Sequence, residues 1–312
     1  MLRSAKMTLS PRGRLSLFLF CAASVLVTAG NTEVHGADTY QLRYRFTAEQ
    51  VVHFESNQEQ KFTTQLGTAT ESVANSSRFW NHYRVLRVGS NGEAVLERIL
   101  DRAQMQNQFG ASTAVQWDSQ NGEPPVQFEA VAKSLHKALA RFHVKSTGEL
   151  VKLEPVQEAV QQLASTEGPP DASLNFLLVF PEAPVAVGQT WKDRFNVPVS
   201  LQDGLKQMVT IQRTYELASV QGNLATIRMK ASVITPINNP EIEVQLIQRT
   251  PTGEIQFDME RGVLVSQTMR IERTLVGGIG PNSQITAIST STERLVEPAR
   301  NASVPQLLND KN

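Results

Sequence analysis

The chain has 312 residues, with 30 basic and 30 acidic side chains, 40% hydrophobic residues and a single cysteine. A neutral balance without a basic block argues against a charge-driven nucleic-acid surface, and one cysteine excludes an internal disulfide framework. Arg3, Lys6, Arg12 and Arg14 precede the apolar run Leu15–Val27, the order of a secretory signal peptide over residues 1–29, cleaved between 29 and 37. The run is too short to span a bilayer comfortably, so no transmembrane segment is expected after cleavage. Phe18-Leu19-Phe20 before Cys21 lacks the small residue that lipid attachment requires, so an anchor is not expected. Cleavage removes Cys21 and four basic residues, leaving 26 − 30 = −4. The expected location is exported, periplasmic or extracellular.

A first β unit is expected over 38–123. Thr39–Phe46 alternates, with Tyr40, Leu42, Tyr44 and Phe46 on one face, as a strand does. Val51–Leu66 also alternates but turns polar, which suggests a half-solvated strand rather than a central one. Extended runs follow at 76–88, 96–105 and 114–118. Tyr83–Leu100 reads as a hairpin turning at Ser90-Asn91-Gly92. A three-residue loop with Gly92 left-handed would set Leu86 opposite Leu96 and Val88 opposite Ala94.

Residues 124–181 are expected to form a mainly helical insert. Val131, Leu135, Ala138, Leu139 and Phe142 recur at helical spacing, giving a helix over 125–140. A strand pair at 142–145 and 149–153 turns at Ser146-Thr147-Gly148. Further helices are expected at 155–164 and 172–180, separated by Gly168-Pro169-Pro170.

A second β unit spans 182–297, with a flexible tail over 298–312. Strands are expected at 192–199, 206–220, 223–235, 253–259, 263–274 and 283–296, while 237–251 carries three alternating apolar residues around an internal Pro240, as an extended segment without definite ends. The hairpin Tyr215–Val233 repeats the pattern of Tyr83–Leu100: Tyr, Val five residues on, a Gly/Asn turn, Ala, then alternating apolar residues. Its two-residue turn at Gly222-Asn223 would pair Val220 with Ala225 and Ala218 with Ile227. The fold class expected is therefore α+β, mainly β: two related, curved antiparallel units with a helical insert between them, half-barrel-like.

The order Trp117-Asp118-Ser119, Gly148-Glu149, Pro184 with Val187-Gly188-Gln189-Thr190-Trp191, the Tyr215 hairpin and a hairpin at Gly262 resembles a family of uncharacterised secreted bacterial proteins, a domain of unknown function. The resemblance runs from Tyr40 to Leu295. It implies export and a β-rich fold, and it supplies no catalytic residues.

No reactive centre emerges from the residues themselves. His53, His82, His136 and His143 include no pair at metal-ligand spacing on a helix, so neither metal nor cofactor is expected. Nucleophile motifs are absent, and the carboxylate pairs Asp258/Glu260 and Glu241/Glu243 read as exposed strand charges. Gly277-Gly278-Ile279-Gly280 precedes a proline and a β run, not a helix N-terminus, so it is no phosphate loop. Trp117, Phe128, Leu135, Leu139, Phe142, Phe176 and Trp191 are candidate lining for an apolar ligand where helices meet a curled sheet. The expected function is non-enzymatic binding of a lipid, another apolar molecule or an envelope protein. The alternatives are an envelope assembly module pairing through Val51–Leu66, or a hydrolase with carboxylates from distant strands.

Overall fold

The computed structural model describes residues 38–156, 177–201 and 206–297. The first-half strands are β1 (Thr39–Tyr40), β2 (Val51–Leu66), β3 (Ala69–Val88), β4 (Ala94–Phe109) and β5 (Val115–Asp118). A short helix, α1 (Glu129–Ser134), leads to β6 (Ala138–Val144) and β7 (Leu150–Pro155). Then come β8 (Val185–Ala186), β9 (Thr190–Ser200), β10 (Lys206–Gln221) and β11 (Leu224–Val233). Helix α2 (Pro240–Leu246) precedes β12 (Thr252–Asp258), β13 (Val263–Val276) and β14 (Ser283–Val296). One antiparallel sheet runs β7-β6-β4-β3-β2-β14-β13-β12-β11-β10-β9, with β5 on β4 and a separate β1–β8 pair. Its first and last strands do not pair, so it is an open sheet. The two expected β units thus share one sheet, joined where β2 pairs with β14.

That sheet must curl. β4 and β10 are seven strand spacings apart, about 34 Å if flat, yet both contribute to the wall of one hollow of about 430 Å³. Strand twist accumulating across so many strands supplies the curvature. The inner face of β9–β13 is dry: Val209, Ile211, Leu217, Ala225, Ile227 and Phe257 are fully buried. α2 covers part of that face, burying Ile242 and Leu246. Gly278 lies against Val244 so closely that a Cβ would overlap it at 2.3 Å.

Both repeated hairpins form, and both differ from the expected register in the same way. Val88 faces Ala94 and Val220 faces Ala225 as expected. A β-bulge then falls at Leu86 and at Ala218, three residues after each Tyr, so Val85 faces Leu96 and Leu217 faces Ile227. The extra residue reverses the alternation below it. Tyr83, Val85, Tyr215 and Leu217 consequently point into the core, whereas an unbulged register turns Tyr215 and Leu217 outward.

Residues 41–46 keep the expected alternation, with Leu42 and Tyr44 buried, but only Thr39–Tyr40 joins a ladder. The segment crosses the sheet end as a strap. Tyr44 N donates to Ser146 O at 2.8 Å and Arg45 N to Gly262 O at 3.1 Å, tying it to two hairpin turns. Both turns need glycine: Gly148 (φ +84°) and Gly262 (φ +63°) lie so near the strap that a Cβ would overlap it. The strap is continued by Leu178 and Phe180. Leu178 N donates to the Tyr44 hydroxyl at 3.0 Å, and the Tyr44, Phe180 and Phe257 rings meet at 4.6–5.3 Å.

Three further expectations need correction. The helix expected over 125–140 stops at Ser134: His136 adopts φ +58°, which breaks helical hydrogen bonding, and Ala138 pairs with Ile99 on β4. Among the described residues of the insert, β6 and β7 together exceed its helical turns in length, and Leu177–Phe180 is not helical. Helix 155–164, most of 172–180, the signal peptide and the tail lie outside the described residues. β2 is central, paired on both sides, so its polar outer half offers no free pairing edge. Within 237–251, Asn239 caps α2 by accepting from Glu241 N at 2.9 Å, with Pro240 in the first turn.

Candidate functional site, a mixed hollow on the inner face

On its inner face the curled sheet leaves the hollow of about 430 Å³, bordered at one end by Leu177 and Leu178. Phe79, Tyr83 and Arg98 from β3 and β4 form one wall, and Arg213, Tyr215 and Met229 from β10 and β11 the other. Gln267, Met269, Ser291 and Glu293 line the strands between, while Leu177 and Leu178 lie at its strap end. The two bulges place the two tyrosines here, so the repeat seen in sequence becomes a pair of facing walls.

Several of the lining groups are fixed by neighbouring side chains. Trp191 stacks on Tyr215 with centroids 5.5 Å apart, and its Nε1 donates to Val179 O at 2.8 Å. Phe54 meets Tyr83 edge-on at 5.5 Å, and the Arg98 guanidinium stands 5.7 Å over the Tyr83 ring. Burial pushes both phenols well above their usual range, so they remain neutral. Arg213 donates from Nε to Asp193 at 2.9 Å and lies over Phe195. Glu293 accepts from Ser56 Oγ at 3.2 Å and Gln267 Nε2 at 2.8 Å. Among the described residues Arg98 forms no ion pair, which leaves one cation beside aromatic and thioether surface.

The opposite face is fastened by charge. Glu55 is 5% exposed and accepts from Arg78 at 2.7 Å and Arg294 at 2.9 Å, linking β3, β2 and β14. Glu97 is 4% exposed and accepts from Arg84 at 2.8 Å and Arg141 at 3.1 Å, linking β3, β4 and β6. Burial raises both carboxyl pKa values, but the arginine hydrogen bonds outweigh it and hold them below the usual range. Asp258 instead builds a turn, accepting from Glu260 N and Arg261 N. Glu241 and Glu243 occupy the first turn of α2, where negative charge suits the helix dipole.

The aromatic candidates fall into three clusters around the hollow. Trp117 stacks on Phe128 at 6.2 Å with Leu135 packed alongside, and this cluster reaches the hollow through Phe79. Phe142 belongs to a second cluster that touches Leu177. Trp191 belongs to the main core behind Tyr215. Nothing is described of the Leu139 side chain, and Phe176 lies outside the described residues. Trp117, Phe128, Leu135, Phe142 and Trp191 therefore back the wall. The lining itself, Arg98, Arg213, Gln267 and Glu293 included, escaped sequence reading because polar inner-face residues look like a solvated strand. The repeated Tyr83 and Tyr215 were its one visible signal.

The Val187-Gly188-Gln189-Thr190-Trp191 turn delivers Trp191 to the wall. Gly188 N donates to Leu217 O at 2.7 Å, and Leu217 N to Gln189 O at 3.1 Å, with Gly188 at φ +85°. Residues 156–264 match a family of unknown function, DUF6263. That stretch holds this turn, the Tyr215 hairpin and Gly262, whereas Trp117 and Gly148 precede it. No curated protein matches the chain. A solved structure titled "Lipid-protein interactions in lipovitellin" is similar over 81% of this chain and 26% of its own, with 12% identity and a TM-score of 0.45. The chain thus spans about a quarter of that protein's length. At that score and identity the likeness says nothing of activity or ligand. Among the described residues no helix is long and apolar enough to cross a membrane.

Proposed function

We propose that this chain is a non-enzymatic binding protein that takes a small amphipathic molecule, with an apolar body and an anionic head, into the hollow. The observation that carries the reading is Arg98, a cation without an ion-pair partner among the described residues, set beside Tyr83 and across from Tyr215, Met229 and Met269. Apolar walls with a few placed polar groups are the usual form of a small-molecule site. Glu293 is the one acid among the described lining residues, so a two-carboxylate hydrolytic site is not supported there. The charged and then apolar N-terminal order supports action after export, in the periplasm or outside the cell. A fluorescent long-chain fatty acid titrated into the purified protein should bind saturably, be displaced by unlabelled fatty acid, and bind more weakly to Arg98→Met and Met269→Glu. Binding unchanged by both substitutions would overturn the proposal.

A further inference from the structure

The outer face of β2–β4 carries a cluster that the hollow does not use. His53 and His82 are direct cross-strand partners with ring centroids 5.5 Å apart. On β4, Leu100 pairs with Asn81 and Arg102 with Trp80, so Asp101 between them is the extra residue of a bulge. The bulge lets two successive side chains serve one face. Asp101 stands beside His82, 2.8 Å from its Nδ1, while the Arg102 guanidinium lies 4.4 Å from the Trp80 ring centroid. One donor atom from each of His53, His82 and Asp101 lies within 4.8 Å of the other two.

Around a tetrahedral zinc ion with bonds near 2.0–2.1 Å, neighbouring donors are about 3.3 Å apart. The cluster therefore needs a contraction of about 1.5 Å at most, which the exposed His53 side chain can supply by a change of rotamer. His82 and Asp101 are more sheltered, with side chains 19% and 32% exposed, and hold each other in place. Nearby cations are committed elsewhere: Arg84 to Glu97 at 2.8 Å and Arg102 to Asp118 at 2.7 Å. The Asp101 charge is thus not cancelled by an arginine salt bridge. Two imidazoles and one carboxylate, with no thiolate, suit a borderline divalent ion such as zinc and leave coordination positions for water.

We infer that His53, His82 and Asp101 form a divalent transition-metal site stapling β2, β3 and β4 at the bulge. The site is separate from the hollow, which opens on the other face. A search by helical or cysteine spacing misses it because the two histidines meet only through strand pairing.

Zinc titrated calorimetrically into the full chain should bind with one equivalent and raise the unfolding temperature, and cobalt should show the visible bands of a nitrogen and oxygen ligand set. His53→Ala leaves the core untouched and should weaken zinc binding by about tenfold or more, keeping its circular dichroism spectrum and its affinity for the fatty-acid probe. Asp101→Asn should weaken it too, whereas His143→Ala on β6 should not. Absence of zinc binding by the unaltered chain, equal affinity in His53→Ala, or loss in His143→Ala would each overturn the inference.

Discussion

The β3–β4 and β10–β11 hairpins obey one local rule and diverge in what they carry. Each has a Tyr, an apolar cross-strand pair two residues on, and a bulge directly after it. In the second hairpin Tyr215 faces Met229, and both join the hollow's wall to the main core behind it. In the first, Tyr83 faces Arg98, and the residue two before the Tyr is the buried Asn81 where the second has Arg213. The first hairpin also adds the bulge at Asp101 and the His53–His82 pair on its outer face. Turn and bulge set the geometry, while side chains at matching positions decide whether a wall stabilises the fold or presents chemistry.

The apolar pair that the two hairpins share just before the bulge should carry the largest effect on stability. Leu217→Ala removes a fully buried side chain and should cost about 2–5 kcal/mol in urea unfolding. Val85→Ala, at the matching position, should cost about 2 kcal/mol, since it removes less apolar volume. Equal losses would mean that the two hairpins share one core environment after all.

Glu97→Gln probes the charge network on the outer face of the first hairpin. It leaves Arg84 and Arg141 without their carboxylate and should cost about 2–3 kcal/mol near neutral pH. The sign with pH follows from the lowered pKa. The stabilisation is present above the unfolded glutamate value of about 4.3 and is lost as pH falls through the lower folded value. The gap between wild type and variant in denaturant midpoint should therefore narrow in acid, and a gap independent of pH would contradict the assignment.

Gly148→Ala asks whether the strap depends on its turns. A Cβ there would meet Leu178 O at 2.2 Å in a left-handed residue, so a loss of about 1–3 kcal/mol is expected. A neutral result would show the strap free to shift. The smallest effect separates the two tyrosine walls. Arg98→Met, which makes the first wall resemble the second, should lower fatty-acid affinity about tenfold, or about 1.4 kcal/mol, with little change in stability.

Alternation made most strands legible, because a sheet with one dry face imposes a period of two. It failed where two periods coincide. Ala138, Ala140, Phe142 and Val144 alternate as β6, yet Ala138 and Phe142, with Val131, Leu135 and Leu139, also recur at helical spacing, and the break at His136 has no strong sequence signal. The bulges at Leu86 and Ala218 were invisible because no residue there demands one. The hollow was hidden for a different reason. Its walls come from strands far apart in sequence, and Ser56, Gln267 and Ser291 interrupt the apolar pattern where the sheet faces a cavity. Asn239-Pro240 carries a helix start, but the alternating apolar residues of 237–251 give the segment the pattern of a strand, and the structure places α2 there instead.

The most direct test is a crystal structure of the protein soaked with a long-chain fatty acid. The acyl chain should lie between Tyr83 and Tyr215, with its carboxylate on Arg98. Clear density for the ligand elsewhere, with Met229 and Met269 filling the hollow, would contradict it.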